Sequence, residues 1–421
     1  MNGWRTRTID EICTVFDGPH ATPVKTATGP WFLSISSLVD GQLNLAESAH
    51  LSEMDFEKWT RRVTPREGDL LFSYETRLGA AALMPAGLRA CLGRRMGLLR
   101  PKPEQVEPRF LLYNYLGPEF QTEIAARAVH GATVDRIPLA ELPKWLMRLP
   151  PLHEQRAIAE VLGALDDKIA LNERIIETTA NLFRAMMQRL WKQGGVSSVI
   201  TDQALNTPGW TRTTLGELCA KGGGSIQTGP FGSQLHASDY VETGIPSVMP
   251  QNIGENVIVE KEIARITNAD ASRLSKYLLT EGDVVYSRRG DVKRRALVRR
   301  HESGWLCGTG CLRVRAGNAV EPLFLSHYLG EPEVQNWIQQ HAVGATMPNL
   351  NTSILGAVPV ILPDGDVRSR INEEFTALDA RSISAVGENK TLTALRDTLL
   401  PQLVTGKLRI KDAERVVEDV V

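Results

Sequence analysis

The chain has 421 residues, too many for a single hydrophobic core, which predicts two or three domains. Its 48 basic and 49 acidic side chains nearly cancel, which excludes a globally basic nucleic-acid-binding protein, so any such surface must be local. Five cysteines are few and odd in number, which argues against a disulfide framework, and neither a membrane-length apolar run nor a signal peptide is visible, so we expect a soluble, cytoplasmic protein.

Short strands and helices come first in the chain, followed by one much longer helix. Apolar stretches between turns predict strands at residues 31–35, 69–73 and 96–100, and helical spacing predicts a helix at 108–115. Residues 150–195 carry apolar side chains at alternating spacings of four and three, which is typical of a coiled-coil helix, about 60 Å long. The seam of this helix is predicted to contain Ile158, Leu162, Leu165, Ile169, Asn172, Ile176 and Phe183.

The same order of elements then occurs a second time. WRTRTIDEIC from Trp4 aligns with WTRTTLGELC from Trp210, and REGDLLFSYETR from Arg66 aligns with TEGDVVYSRRGD from Thr280. Further strands are predicted at 245–249, 283–287, 311–314 and 358–362, with a helix at 322–328. The seam of a second long helix is predicted to contain Ile371, Phe375, Leu378 and Leu399. The sequence therefore predicts a tandem duplication of a mixed α/β (α+β) domain followed by a long helix.

Four segments follow from this duplication. Residues 1–150 form the first domain, 151–195 the first long helix, 196–363 a linker and the second domain, and 364–421 the second long helix and a C-terminal tail. We expect Pro401 to end or kink the second helix, Gly406 to turn the chain, and a short acidic tail to follow. Because the second helix must return from the second domain, we expect the two helices to pack antiparallel with pseudo-two-fold symmetry.

Two similar domains at a fixed separation suit the reading of two half-sites on duplex DNA. In this organisation and in four motifs, the chain resembles the DNA-specificity subunit of a type I restriction-modification system. The resemblance lies in PPLHEQRAIAEVLGALDDKI, TGPFGSQLHASDYVETGIPSV, EGDVVYSRRGD and VGATMPNLNTS, at residues 150–169, 228–248, 281–291 and 343–353. The first domain departs from this pattern, because GPHATPVKTATGPW lacks the GPFGSQL form and HGATVDRIP lacks the PNLN run.

This resemblance implies two target-recognition domains that each read one part of a bipartite target, long helices that set the spacer, and no catalytic site in this chain. It implies double-stranded DNA, two copies of a methyltransferase subunit and a restriction/translocase subunit as partners, in a complex that directs adenine methylation and DNA cleavage. S-adenosylmethionine is then expected in the methyltransferase partner, ATP and magnesium in the nuclease partner, and no cofactor or metal in this chain.

Local basic segments are the candidate DNA surface. Seven basic residues lie between Arg288 and Arg300, where they can neutralise phosphates, although a solvated charged turn is the alternative. A thinner cluster contains Arg94, Arg95, Arg100 and Lys102, and TGPFGSQL supplies polar groups for base edges, with Phe231 expected in the core. The predicted DNA-contacting residues are Arg288, Arg289, Lys293, Arg294, Gln227, Ser233, Gln234, Arg77, Arg94 and Arg95.

Other motifs favour structural roles or none. HGAT and VGAT recur before the last strand of each domain, where small residues allow the backbone to approach DNA or a neighbouring strand closely, and we favour the structural role for the glycines. Cys13 and Cys219 recur in apolar surroundings and are expected to be buried, and Cys307, Cys311 and His301 form an incomplete zinc set. The sequence contains neither a phosphate-binding loop nor an adenine-methyltransferase tetrapeptide. The alternatives are a helical scaffold that joins protein partners without reading DNA and a self-contained DNA-modifying enzyme.

Overall fold

A computed structural model describes residues 3–130, 134–200, 208–344, 346–418 and 420. The chain divides into unit 1, which is Met1–Glu173 together with Val386–Val421, and unit 2, which is Arg174–Ala385. Both dividing points fall inside the predicted long helices, so each unit contains part of both helices. The predicted linker is only partly described, because residues 201–207 lie outside the described ranges.

The first half of the chain is mixed α/β. Its strands are β1 (Arg5–Thr8), β2 (Cys13–Asp17), β3 (Thr26–Phe32), β4 (Leu38–Val39), β5 (Gln42–Leu43), β6 (Ala49–His50), β7 (Leu70–Ser73), β8 (Ala81–Leu83), β9 (Ala90–Cys91), β10 (Met96–Pro101) and β11 (Leu146–Leu149). Its helices are α1 (Ile9–Ile12), α2 (Glu53–Trp59), α3 (Pro108–Leu116), α4 (Pro118–Arg127) and the long α5 (Leu152–Gln193). The central sheet is antiparallel, in the order β2-β10-β7-β8.

The second half of the chain has the same order of elements, with one additional short helix, α10, before its last strand. Its strands are β12 (Thr211–Thr214), β13 (Ser225–Thr228), β14 (Tyr240–Val241), β15 (Ile245–Val248), β16 (Glu255–Asn256), β17 (Ala264–Ile266), β18 (Val284–Ser287), β19 (Arg295–Leu297), β20 (Leu306–Cys307), β21 (Cys311–Arg315) and β22 (Pro359–Leu362). Its helices are α6 (Leu215–Lys221), α7 (Asn268–Arg273), α8 (Pro322–Tyr328), α9 (Pro332–His341), α10 (Thr352–Gly356) and α11 (Gly365–Val404), and α12 (Ile410–Glu418) follows in unit 1. The central sheet has the order β13-β21-β18-β19-β16.

The two central sheets share one construction. In unit 1, Asp69 accepts a hydrogen bond from the Arg66 amide and pairs with Arg100 at 2.7 Å. In unit 2, Asp283 accepts from the Thr280 amide and pairs with Arg315 at 2.6 Å. Both aspartates are buried. Asp69 connects the turn before β7 to strand β10, and Asp283 connects the turn before β18 to strand β21. This shared contact confirms the predicted duplication of a mixed α/β domain.

Within unit 1, the two long helices pack antiparallel. Asp166 of α5 contacts Arg396 of α11 at 3.2 Å, and farther along α5 Asn172 contacts Glu388 at 2.6 Å, so the partner number falls as the α5 number rises. Asn172 is 1% exposed. A buried asparagine at a seam position fixes the register of paired helices, because a shifted register leaves its amide without partners.

The predicted seam residues are distributed over the two units. In unit 1, the buried seam residues are Ile158, Leu162, Leu165, Ile169 and Leu399. In unit 2, Phe183 and Phe375 are buried and meet edge to face at 4.9 Å between ring centroids. Ile176, Ile371 and Leu378 are half-buried, and the latter two pack against the unit 2 core.

Three expectations about element ends need correction. Helix α11 continues through Pro401 to Val404, so this proline does not end the helix. It removes one backbone hydrogen bond in the last turn, where Leu403 and Val404 are buried and Thr405 Oγ1 donates to the Pro401 carbonyl at 2.6 Å. The predicted acidic tail forms α12, whose Ala413 and Val417 are buried in the unit 1 core. Strand β3 covers Thr26–Phe32, whereas the sequence predicts a strand at 31–35. The prediction misses residues 26–30 because Gly29 and Pro30 are poor strand formers. Gly406 turns the chain as predicted, at φ +70°.

Two further findings concern the described residues only. None of the helices there is long and apolar enough to cross a membrane. All five cysteines are buried free thiols, as predicted for Cys13 and Cys219, and burial raises the pKa of Cys307 to about 12. Cys307, Cys311 and His301, the incomplete zinc set of the sequence, do not form a metal site in the described part of the chain.

Candidate nucleic-acid interface

A glycine-proline loop leaves the same strand end of the central sheet in each unit. The Gly18 amide donates to the Met96 carbonyl, and the Gly229 amide donates to the Cys311 carbonyl, both at 2.9 Å. A Cβ on Gly18 would lie 2.3 Å from the Met96 oxygen, and one on Gly229 would lie 2.1 Å from the Gly308 oxygen, so only glycine fits at either place. GPHATP in unit 1 therefore occupies the position of GPFGSQ in unit 2, although the two sequences share only their first two residues.

A second loop joins β7 to β8 in unit 1 and β18 to β19 in unit 2. Ser73 Oγ donates to the Glu75 carbonyl at 2.6 Å, and Ser287 Oγ donates to the Arg289 carbonyl at 2.9 Å. The same serine contact thus shapes both turns, while the exposed side chains that follow the serine differ between the units.

A third loop, before the last strand of each unit, lies against the second loop. The Ile137 amide donates to the Tyr74 carbonyl and the Leu350 amide to the Arg288 carbonyl, both at 2.8 Å. Gly344 has φ +119° with its Cβ position 2.5 Å from the Met347 carbonyl, which agrees with the close-packing role predicted for this glycine. The corresponding Gly131, Ala132 and Thr133 of HGAT, and Ala345 of VGAT, lie outside the described residues.

We call the described residues of these loops the three-loop edge, which is residues 18–24, 74–80, 129–130 and 134–137 in unit 1 and residues 229–235, 288–294, 343–344 and 346–350 in unit 2. The first and second loops also approach each other in both units. Burial, followed by the nearby Asp17 carboxylate, raises the pKa of Tyr74, and the Arg288 guanidinium lies 5.8 Å from the Phe231 ring centroid. In unit 1 Asp17 directly precedes the first loop, so the three loops are neighbours in each unit.

Phe231 is exposed, so the prediction that it lies in the core is wrong. Its side chain is 54% exposed, whereas Leu235, four residues later, is 4% exposed and fills the core position. Exposing about half of a phenylalanine forgoes roughly 1 kcal/mol of hydrophobic stabilisation. The turn offers one inward position for two apolar residues, and the sequence does not indicate which of them takes it.

The polar residues in and just before the GPFGSQL segment are mostly engaged within unit 2. Gln234 Oε1 accepts from Tyr277 Oη at 2.8 Å and from the Phe231 amide at 3.2 Å, so this side chain shapes the loop. Gln227 is half-buried and its Oε1 accepts from Arg313 Nη2 at 2.9 Å. Ser233 is exposed at the loop tip, which leaves it the most accessible of the three predicted base contacts.

The basic segment of unit 2 splits into internal and surface residues. Arg295 is 7% exposed, donates from Nε to the Ser326 carbonyl at 2.9 Å, and has a pKa lowered by burial. Arg299 forms a 2.5 Å ion pair with Asp379 of α11. Both arginines belong to the basic segment of the sequence, but their contacts stabilise the fold of unit 2.

The four predicted DNA-contacting residues of this segment all lie on the second loop. Arg289 is exposed, and Lys293 Nζ donates to Asn336 Oδ1 at 3.2 Å. Arg294 Nη1 donates to the Pro250 carbonyl and Arg288 Nε to the Leu350 carbonyl, both at 3.2 Å. Arg288 therefore holds the loops together, since it contacts the first loop through Phe231 and the third through Leu350.

The thin basic cluster of unit 1 is largely satisfied internally. Arg95 pairs with Glu75 at 2.8 Å, Arg100 pairs with buried Asp69, and Lys102 donates to the Asp10 carbonyl. Arg77 and Arg94 are exposed, and Arg77 also donates weakly to the Ile35 carbonyl at 3.3 Å. Arg77, Arg94 and Arg95 lie on or beside the second loop, but the net positive charge there is small.

A cleft beside the first loop of unit 1 carries more basic residues. It has a volume of about 470 Å³ and is lined by Lys58, Trp59, Arg61 and Arg62 on one side and by Asp17–Ala21 on the other. Asp17 contacts His20 at 3.0 Å and Arg62 at 3.6 Å. This cleft was not predicted from the sequence, although KWTRR has three basic residues and an aromatic residue within five positions, a pattern that can bind phosphate.

Comparison with known proteins gives a consistent result. The family described as the type I restriction modification DNA specificity domain matches residues 1–179. Two Methanocaldococcus jannaschii proteins named as specificity subunits of type I restriction enzymes are similar to this chain. The MjaX protein is 23% identical over 97% of this chain and 94% of its own length, and the MjaVIII protein is 19% identical over 84% and 82%.

A solved structure has the same fold. The chain aligns with the S subunit of a type I restriction-modification system from M. genitalium at a TM-score of 0.62 and 18% identity, over 96% of both chains.

Proposed function

The chain belongs to the family of type I restriction-modification DNA specificity subunits, and we propose that each of its units reads one part of a bipartite DNA target through its three-loop edge. A specificity subunit selects the DNA, and its partners carry out the catalysis. One observation supports the proposal. The loops of the two units are built by the same backbone and serine contacts, but they expose different side chains. A shared scaffold with different side chains suits two readers that recognise different sequences.

The side chains at equivalent positions of the two edges differ in size and charge. His20 in unit 1 stands where unit 2 has Phe231, and Glu75 stands where unit 2 has Arg289. Hydrogen bonds and apolar contacts to base edges depend on these side chains, so the two half-sites should differ in sequence. Ser233 and the exposed arginines of the edges are the candidates for direct base contact.

Phosphate contacts should come from basic side chains that lie on or beside the edges. In unit 2 these are Arg289 and Lys293, and in unit 1 they are Arg77, Arg94 and the Lys58, Arg61 and Arg62 group of the cleft. Basic side chains at these positions increase affinity for every duplex and fix the orientation of the protein on DNA, whatever the sequence.

The wider assembly is also part of the proposal. We propose that α5 and α11 set the length of the non-specific spacer and dock two copies of a methyltransferase subunit, and that a restriction/translocase subunit joins them for cleavage. In this assembly S-adenosylmethionine belongs to the methyltransferase partner, and ATP and magnesium belong to the nuclease partner. The complex would then act in the cytoplasm, on the DNA of the cell.

One experiment separates this function from its rivals. The full chain, with and without a methyltransferase partner, is titrated with random-sequence duplex DNA at graded salt, and adenine methylation is then mapped. Specificity-subunit function predicts steep weakening with salt and methylation of one bipartite sequence only when the partner is present. Absence of DNA binding would favour a protein scaffold, and methylation by the chain alone would favour a self-contained enzyme.

A further inference from the structure

Exposed apolar side chains are concentrated on the three-loop edges. Five of the large hydrophobic residues with well-exposed side chains lie there, and they are Val24, Val129, Phe231, Val343 and Met347, at 77, 45, 54, 64 and 60% exposure. Water-exposed apolar side chains on loops that are otherwise polar mark a contact surface for another molecule. In unit 2 Phe231 is the largest of them.

The loop that carries Phe231 is held rigidly, so its exposure does not result from a loose chain. The Gln234 amide donates to the Phe231 carbonyl at 2.8 Å, and Gln234 Oε1 accepts from both the Phe231 amide and Tyr277. Arg273 Nη1 donates to the Gln234 carbonyl at 2.8 Å. No described atom lies within 4 Å of a Cβ built on Gly232, so the tip next to Phe231 projects into open space.

A positive charge accompanies the ring. The Arg288 guanidinium faces the Phe231 ring, with its central carbon 5.8 Å from the ring centroid, and Arg289 is exposed on the same second loop. A well-held apolar side chain beside one guanidinium, with a second arginine on the neighbouring loop, fits one kind of DNA contact. The ring enters the base stack while the cations bind the flanking phosphates.

Resting on the proposed DNA-reading function, we infer that Phe231 is a wedge that inserts between two stacked base pairs of the half-site read by unit 2. Insertion of Phe unstacks one step and bends the duplex, and pyrimidine-purine steps such as TA and CA deform most easily. Unit 2 therefore selects its half-site partly through the deformability of that step. Unit 1 has His20, which is paired with Asp17, at this position, and reads its half-site without a wedge.

The test uses 2-aminopurine, a base whose fluorescence rises when it is unstacked. The full chain first selects its target from a random duplex library, and 2-aminopurine is then placed at each position of both half-sites in turn. We expect a severalfold rise at one step of the unit 2 half-site with the wild-type chain and none in the unit 1 half-site. Phe231→Ala should abolish the rise and weaken target binding about ten- to a hundredfold, while non-specific binding stays the same.

Two further variants distinguish insertion from simple packing. Phe231→Leu keeps an apolar wedge and should retain part of the rise, whereas Val259→Ala, which alters an exposed apolar residue outside the three loops, should change nothing. Selective DNA binding without any rise, or with a rise that persists in a folded Phe231→Ala chain, would overturn the wedge and leave the proposed function intact. Absence of selective DNA binding by the wild type would overturn both.

Discussion

Asn172 of α5 is almost completely buried, and its Nδ2 donates to Glu388 Oε2 of α11 at 2.6 Å within unit 1. Because the same amide also donates to Asn389 Oδ1 at 3.0 Å, this single side chain connects two residues of the facing helix. Asn172 is thus a buried polar residue among the apolar side chains of the seam, and the register of the helix pair depends on its contacts.

We predict that Asn172→Leu destabilises unit 1 by about 1–2 kcal/mol, because Glu388 is left facing an apolar side chain. Replacing both partners, as Asn172→Leu with Glu388→Leu, should recover much of this loss, since two apolar residues can pack against each other. Urea unfolding of the single and double variants measures the difference. A single variant that is more stable than the wild type would contradict the prediction.

The buried carboxylate of Asp69 should be essential to unit 1. Asp69→Asn leaves the partly buried Arg100 without its charged partner and weakens the contact with the Arg66 amide, which should cost about 3 kcal/mol. Glu53→Gln is the matched control, since it breaks an equally short 2.8 Å ion pair with Arg89 that is exposed to solvent, and it should leave the unfolding midpoint unchanged. Equal effects of the two substitutions would rule out a special role for Asp69.

His327 should make unit 2 sensitive to acid. Burial, followed by the charges of Arg295 and Arg299, lowers the pKa of His327 to about 3, and its ring stacks on Phe183 at 3.9 Å between centroids. The unfolded chain binds a proton at this histidine below about pH 6.5, but the folded chain does not. His327 therefore does not reduce the free energy of unfolding above about pH 6.5. As the pH falls from there towards 3, the free energy of unfolding of unit 2 decreases by roughly 1 kcal/mol per pH unit.

His327→Phe keeps a ring against Phe183 and removes this proton. Urea unfolding at pH 7.5 and 5.5 should show that the wild type loses roughly 1 kcal/mol more than the variant between the two values. Identical losses in the two chains would show that His327 does not cause the pH dependence.

The basic cleft of unit 1 should bind phosphate. Changing Lys58, Arg61 and Arg62 together to alanine should weaken binding to all duplexes alike and reduce the slope of log affinity against log salt by about 0.9 for each phosphate that is no longer neutralised. A matched triple variant is available in the same unit, because Lys407, Arg409 and Lys411 are also three exposed basic residues within five positions. The triple alanine variant of these three residues should bind DNA like the wild type. If both triple variants weaken binding equally, the overall positive charge of the protein is responsible and not the cleft.

The spacer prediction concerns the length of the long helices. We expect half-site centres about one helical turn, roughly 10 base pairs, apart, because both readers must meet one face of the duplex. Inserting four residues after Glu173 and four after Ala385 adds about 6 Å to each helix and leaves the Asn172–Glu388 contact within unit 1. Methylation mapping should reveal a spacer longer by one or two base pairs, at about 3.4 Å each, between unaltered half-sites. Altered half-sites with an unchanged spacer would show that the helices do not set the distance.

Periodicity and repetition in the sequence determined the elements of this fold. The duplicated Asp69 and Asp283 turns, both long helices and most of the central strands follow from patterns that extend over a few neighbouring residues. Local spacing decides which residues can share one face of a helix or strand, so the sequence alone indicates it. The same patterns predict Phe183 and Phe375 on the seams of the long helices, and the two rings meet there.

Only the tertiary structure decided which charged and apolar side chains remain available at the surface. Arg100 and Arg299 belonged to basic clusters in the sequence, but their partners Asp69 and Asp379 lie 31 and 80 residues away in the chain. Phe231 is exposed because Leu235 takes the inward position of the same turn. Pairing and burial depend on which distant segments meet, and the composition of a local segment does not contain that information.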